Sequence, residues 1–336
     1  MNRIMANVAI IGATTWGNTL GRLLANKGIK VGIWARSETR AEELRQEQQD
    51  RLLKTDLPNC LSFTNNIDEA LHSAEYVIMA VPAQIMRQSA RQIGDYLTSS
   101  TILVTVAKGL EAQTGKRMSE VIAEEITSIS PGIVCVLSGP NLSQEIDQGL
   151  PATSMAAGQD IEVVNKVQAL FDSPNFAVFT SDDIIGVELC GALKNVIALG
   201  AGMLDGLDLG NNAKASFITI GWAEVVSLGT ALGAKATTFY GLAGFGDLIA
   251  TGNSPLSRNH HVGYELGRGR SLDEITASMS NVAEGIDTTM AVHRLATRSG
   301  LELPTIDLIY RVLFESLSPA EISTRLKGGL RPEAAT

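Results

Sequence analysis

The sequence predicts an α/β fold in which a doubly wound sheet is followed by an all-α C-terminal domain. Three observations lead there. From residue 7 to about residue 180, short β-rich runs alternate with longer polar or amphipathic segments, the signature of repeated βα units. Two of the runs, Tyr76–Val81 and Ile102–Val106, are apolar on both faces, as strands must be when helices cover a parallel sheet from either side. After Ser181-Asp182-Asp183, all good helix-capping residues, the β signature stops and helical segments punctuated by glycine fill the rest of the chain. The 336 residues suffice for two domains, 1–181 and 182–336, each able to bury its own core.

Taken in order, the expected strands are Val8–Ile11, Lys30–Trp34, Leu61–Thr64, Tyr76–Val81, Thr101–Val106, Ile133–Ser138, Thr153–Ala157 and Phe176–Thr180. The first runs into Gly12-Ala13-Thr14-Thr15-Trp16-Gly17, and Asn18 to Lys27 then read as a helix that stops at Gly28. A strand, a glycine turn and a helix in that order match the dinucleotide fingerprint. Gly12 makes the turn, Gly17 packs helix on strand, and the N–H groups opening the helix favour a pyrophosphate. Thr14 takes the place of the middle glycine, so its side chain should hold the phosphates slightly further out. Residues 1–181 therefore read as a dinucleotide-binding domain. At the end of the second strand an acid would bind a ribose 2′-hydroxyl, whereas an arginine pairs with a 2′-phosphate. Arg36 stands there, which favours NADPH, while Glu38 leaves NADH open.

In the second domain a long helix is expected from about Asp182 to Leu204, a capping box at Ser271 and Glu274, and helix starts at Pro304 and Pro319. Lys194 and Asn195 interrupt the apolar stretch Val187–Leu199. A buried lysine is costly without a task or a partner, so Lys194 either does acid–base work or pairs with Glu188 or another carboxylate. Lys108 follows Ile102–Val106 at the carboxyl edge, where open α/β sheets bind their ligands. The glycine-rich run Gly241–Leu248 presents one carboxylate, Asp247. Ser257-Arg258-Asn259 suits a small phosphate ester, because arginine forks onto phosphate oxygens and its neighbours add neutral donors; a plain helix start is the alternative.

Composition closes off other classes. Apolar residues make up 45% and charged residues 19%, which excludes a disordered, solvating chain. A net charge of −9 and a pI near 5.1 give no global attraction to nucleic acid or an anionic bilayer, so any phosphate site must be local. Cys60, Cys135 and Cys190 are odd in number and far apart, which fits a reducing, cytoplasmic setting rather than a disulfide framework or a zinc site. The histidines lack a ligand spacing, so no metal is expected, and the longest apolar stretch, Val196–Leu204, is half a bilayer span.

These motifs, in this order and spacing, resemble bacterial NAD(P)-dependent glycerol-3-phosphate dehydrogenases along nearly the whole chain. Lys108-Gly109-Leu110, Ser138-Gly139-Pro140, Asn211-Asn212-Ala213-Lys214-Ala215 and Glu284-Gly285 add to those already quoted. The resemblance implies a Rossmann-like domain, an α-helical substrate domain, and reversible reduction of dihydroxyacetone phosphate to sn-glycerol 3-phosphate, the headgroup precursor in phospholipid synthesis. It also implies catalytic roles for Lys194, Lys108 and Asp247, with Lys194 as acid and base. Gly139, Asn195, Ser257, Arg258 and Asn259 join Lys108 and Asp247 at the substrate. Gly12, Thr15, Trp16, Gly17, Arg36, Ser143 and Glu284 join Lys108 and Arg258 at the cofactor. A homodimer is left open. The chain departs from the family pattern at Thr14, at Asn141-Leu142-Ser143, at Ile220 and at Gly252-Asn253, and no catalytic group is lost. A dehydrogenase for a β-hydroxy acid and a nucleotide-sensing protein without turnover are the rival readings; the phosphate-type cluster speaks against the first and the retained Lys108, Lys194 and Asp247 against the second.

Overall fold

A computed structural model describes residues 7–52, 60–252, 257–279, 282–322 and 324. Asn253, one of the departures, lies outside them. The chain forms two compact units, Met1–Ala107 with Met118–Ile184, and Lys108–Arg117 with Ile185–Thr336. The sequence-based division at 181/182 keeps Lys108–Arg117 in the first half, whereas here that segment counts with the second, for reasons that lie in its anchoring side chains.

The first unit is built on eight strands: β1 (Asn7–Ile11), β2 (Lys30–Trp34), β3 (Leu61–Thr64), β4 (Tyr76–Met79), β5 (Ile102–Thr105), β6 (Val134–Ser138), β7 (Ala152–Gly158) and β8 (Phe176–Ser181). Their order is β3-β2-β1-β4-β5-β6-β7-β8. Side chains alternate across the sheet: Val8, Ile10, Ile78 and Val104 enter one apolar core, while Ala9, Ile11, Val77 and Leu103 enter another. Among the described residues its α-helices are α1 (Thr15–Asn26), α2 (Glu38–Leu52), α3 (Ile67–Leu71), α4 (Met86–Ile93), α5 (Met118–Glu125), α6 (Ser143–Asp147) and α7 (Ile161–Phe171). Leu20 and Leu24 of α1 and Val164 of α7 fill the first core, Met86 of α4 and Val121 of α5 the second. All pairings are parallel except β6 with β7, where Cys135 faces Gly158 and Ser138 faces Met155. The two runs expected in a parallel sheet, now β4 and β5, are parallel to their neighbours. The β6–β7 connection contains a single five-residue helix, α6, and the chain turns back beside β6 instead of crossing the sheet.

The second unit is helical: α8 (Ile184–Gly206), α9 (Gly210–Ala231), α10 (Asp247–Gly252), α11 (Arg258–Gly267), α12 (Leu272–Ser278), α13 (Glu284–Ser299) and α14 (Pro304–Phe314). The expected capping box at Ser271 and Glu274 is formed, and Pro304 sits in the first turn of α14. By length and composition α8 is apolar enough to cross a membrane, and 94% of its apolar window is buried inside the protein, as a core helix is. Its last turns cross α11 backbone to backbone. A Cβ on Gly263 would stand 1.9 Å from the Leu199 carbonyl oxygen, and one on Gly202 would stand 2.1 Å from that of His260. Gly206 and Gly267 repeat the contact one turn on, so no side chain separates the two helices there. Beside the crossing, Asp205 Oδ2 lies 2.8 Å from His260 Nε2 and 2.9 Å from Lys214 Nζ, which ties α8, α9 and α11 together.

Candidate active site

In the first unit the sheet order reverses between β1 and β4, the place where open α/β sheets receive ligands. The glycine loop lies there. Gly12 has φ +115°, and a Cβ on it would meet the Ala80 carbonyl oxygen at 2.7 Å, so only glycine lets the chain leave β1 beside β4. Gly17 is equally constrained, 2.3 Å from the Gly12 carbonyl oxygen by the same measure. Thr14 turns its hydroxyl inward: Oγ1 donates to the Ala80 carbonyl at 3.0 Å and accepts from Gly17 N–H at 3.1 Å, capping α1. That cap takes up the N–H of Gly17 but, among the described residues, leaves those of Thr15 and Trp16 without a partner at the positive end of α1. The Trp16 ring packs on the first core, with its Nε1 buried and unbonded. Arg36 is exposed just beyond β2. Gly139 follows β6 against the backbone of Thr153 and Ser154, and Ser143 opens α6. Asn141, one of the departures, donates to the Thr153 carbonyl at 2.9 Å and accepts from Ser154 Oγ at 3.1 Å, so its amide pins this loop to β7.

In the second unit Lys194 is buried on α8, and its partner is Asp247, 2.9 Å from Nζ to Oδ1. Glu188, the alternative partner, is engaged elsewhere, with Arg117 at 2.5 Å. The other oxygen of Asp247 receives Lys108 Nζ at 2.7 Å, so one carboxylate holds two ammonium groups. Thr251 completes the cluster: its Oγ1 is in hydrogen-bond contact with Lys194 Nζ and 3.1 Å from Asp247 Oδ1. Sequence reasoning missed Thr251, although its place one turn after Asp247 on α10 was a usable signal. An ammonium has three donors. Two on Lys194 are committed, and among the described residues the third has no partner.

Burial lowers the pKa of Lys194 to about 8; Asp247 opposes the shift, while the charges of Lys108 and Arg258 add to it. Burial works against ionisation of Asp247, but the two ammonium groups overcome it and hold its carboxyl below the usual range. Lys108, Lys194 and Arg258 set against Asp247 leave two surplus positive charges, suited to an anionic substrate and a developing oxyanion.

The remaining predicted residues are held by hydrogen bonds within the second unit. Ser257 caps α11, its Oγ accepting from His260 N–H at 3.2 Å, so the plain helix start is realised. Arg258 begins that helix, exposed, with Nη1 on the Val282 carbonyl at 2.8 Å and other guanidinium donors left over. Asn195 and Asn259 are buried and bonded to each other at 2.8 Å. Asn195 also donates to the Lys108 carbonyl at 2.9 Å, and Asn259 accepts from Gly285 N–H at 2.9 Å, just after Glu284 at the start of α13. The two amides thus act as a relay between segments.

A family model described as NAD-dependent glycerol-3-phosphate dehydrogenase N-terminus matches residues 7–164, and its C-terminus counterpart matches residues 183–324. The chain is 49% identical over 325 residues to a Dehalococcoides mccartyi protein named glycerol-3-phosphate dehydrogenase (NAD(P)+), covering 96% of this chain and 90% of that protein. A Chlorobium limicola protein of the same name is 43% identical over 311 residues, with 92% and 93% covered. Among solved structures, glycerol-3-phosphate dehydrogenase from Coxiella burnetii superposes with a TM-score of 0.90 at 31% identity, covering 97% of this chain and 99% of that one. A ketopantoate reductase from Ralstonia eutropha shares the fold at a TM-score of 0.58 and 14% identity.

Proposed function

The chain belongs to the NAD-dependent glycerol-3-phosphate dehydrogenase family, and from that premise we propose that Lys194 is the general acid and base in the reversible reduction of dihydroxyacetone phosphate to sn-glycerol 3-phosphate. The chain is an oxidoreductase using NADH or NADPH. The observation that carries the proposal is the buried Lys194 ammonium, fixed by Asp247 and Thr251 with one donor unspent.

The dinucleotide fits the first unit. Gly12 lets the chain turn tightly beside Ala80, and among the described residues the N–H groups of Thr15 and Trp16 have no partner at the start of α1, where a pyrophosphate is favoured. Arg36, exposed just beyond β2, supports a preference for NADPH, since a guanidinium there can pair with a 2′-phosphate. When bound, the reduced nicotinamide supplies a hydride to the ketone carbon. The free donor of Lys194 then meets the charge that grows on the ketone oxygen and delivers the proton. In the reverse direction the neutral amine accepts the hydroxyl proton. A pKa of about 8 keeps both forms accessible near neutral pH, and Asp247, held ionised, keeps Nζ in place. Arg258 grips the substrate phosphate, and binding at that remote end orients the carbonyl. Supply of phospholipid headgroups in the cytoplasm is the role this chemistry serves in our reading.

Lys194→Ala is expected to lower kcat for reduction by about 100-fold or more while leaving NADPH affinity unchanged. Because reduction needs the ammonium, the native rate should fall as pH rises through about 8, whereas oxidation should rise through the same midpoint. Native turnover in the variant sinks the assignment.

A further inference from the structure

Lys108 sits on no helix or strand. It opens the segment Lys108–Arg117, which is folded on itself: Leu110 bridges to Arg117, and Glu111 N–H donates to the Lys116 carbonyl at 2.9 Å. Two arginines of α13 hold its middle, Arg294 on the Ala112 carbonyl at 2.9 Å and Arg298 on that of Thr114 at 3.3 Å. Its two ends are gripped by α8. Asn195 takes the Lys108 carbonyl at 2.9 Å, and Glu188 takes the Arg117 guanidinium at 2.5 Å. Glu188 and Asn195 are seven residues apart, two turns of one helix face, about 10 Å along the axis.

The side chains of Arg117 and Glu188 are 15% and 4% exposed. A pair so buried regains in mutual attraction roughly what desolvation takes away, so it is a weak source of stability. Its geometry is what distinguishes it from an apolar contact, since a charge-assisted hydrogen bond from Arg117 Nη1 to Glu188 Oε2 fixes both distance and direction. Without it the far end of the segment loses its charged anchor on α8, while Asn195 still holds the Lys108 end and the α13 arginines the middle.

We propose that Arg117 and Glu188 are positioning residues for Lys108: they fix the far end of the strap on α8, so that the Lys108 ammonium stays on Asp247. This rests on the reading of Lys108 as a group that meets substrate or cofactor. Arg117→Met/Glu188→Leu removes both charges at once and avoids stranding one of them, so the fold should survive. The double variant should lose about tenfold or more in kcat/KM for dihydroxyacetone phosphate. Its pH midpoint for reduction should move above the native value of about 8, since Lys108 is one of the charges that depress Lys194. Placed on a Lys108→Met background, the same changes should cost nothing more. Native kcat/KM with an unmoved midpoint, or a full additional loss on Lys108→Met, overturns the proposal. Lys108→Met at native activity overturns it through its premise, a result distinct from failure of the strap alone. Should the apolar pair not fold, Arg117→Lys keeps the charge and loses the planar guanidinium; a lowered kcat/KM supports the role and a native one refutes it.

Discussion

Asp247 is the pivot of the site because each of its oxygens answers a different cation. Oδ2 holds Lys108 and Oδ1 holds Lys194, with the Thr251 hydroxyl between the helix and the second ammonium. Lys194 stood out by its apolar neighbours, with Glu188 or another carboxylate open as its partner, and the catalytic reading already set Asp247 beside it. Glu188 lies on the same helix and was the nearer choice in sequence, whereas Asp247 is 53 residues away, and the fold decides for Asp247. Glu188 instead answers Arg117, 71 residues upstream, an ion pair that no local pattern announces. Thr14 and Asn141 tell the same story. Each breaks the family pattern, and each proves to be tied to backbone: Thr14 to Ala80 and Asn141 to Thr153. At this scale we propose that Arg36 carries the cofactor choice. Arg36→Glu should erode the preference for NADPH over NADH, read as the ratio of the two kcat/KM values; an unaltered ratio shows that Arg36 does not read the 2′-phosphate.

Strands were legible, and so was the parallel direction of β4 and β5; the reversal at β7 was not. All eight expected runs are strands with ends shifted by no more than two residues, because period-two burial and β-branched composition write themselves into sequence. The antiparallel placement of β7 depends on where the chain goes after β6, and the composition of β7 is silent on that. Helices behave similarly. The start of α8 beyond Asp183 was readable from capping chemistry, with Asp183 N–H donating to Ser181 Oγ at 3.1 Å. Its crossing with α11 was not, although the paired glycines, four apart on each helix, are the trace such a contact leaves. Gly263→Ala should therefore be severe: a methyl group 1.9 Å from the Leu199 carbonyl cannot be accommodated by any rotamer. About 3 kcal/mol of destabilisation is expected, seen as a lower midpoint in thermal or denaturant unfolding. A midpoint equal to that of the native protein shows that the helices do not meet there.

For the whole chain, a net charge of −9 coexists with a site carrying two surplus positive charges. A phosphate ester is drawn by the local field and repelled by the global one. Both fields are screened by salt, but the global one, spread over a solvent-exposed surface, is weak at the distances that matter within a Debye length of about 10 Å. Raising ionic strength from about 0.05 to 0.5 M should therefore increase KM for dihydroxyacetone phosphate several-fold with little change in kcat. A KM that is flat or falling with salt would place the attraction elsewhere.

One helix carries an unusual share of these arrangements. Along α8, Glu188 holds Arg117, Lys194 faces Asp247, Asn195 clasps Lys108 and Asn259, and Gly202 with Gly206 lies flush against α11. α8 is thus a common ruler, and a tilt at any point along it is registered at every mark. Substitutions far from Lys194 on this helix will consequently mimic chemical defects, and a scan along α8 that records turnover alone will see one phenotype where there are three separate causes.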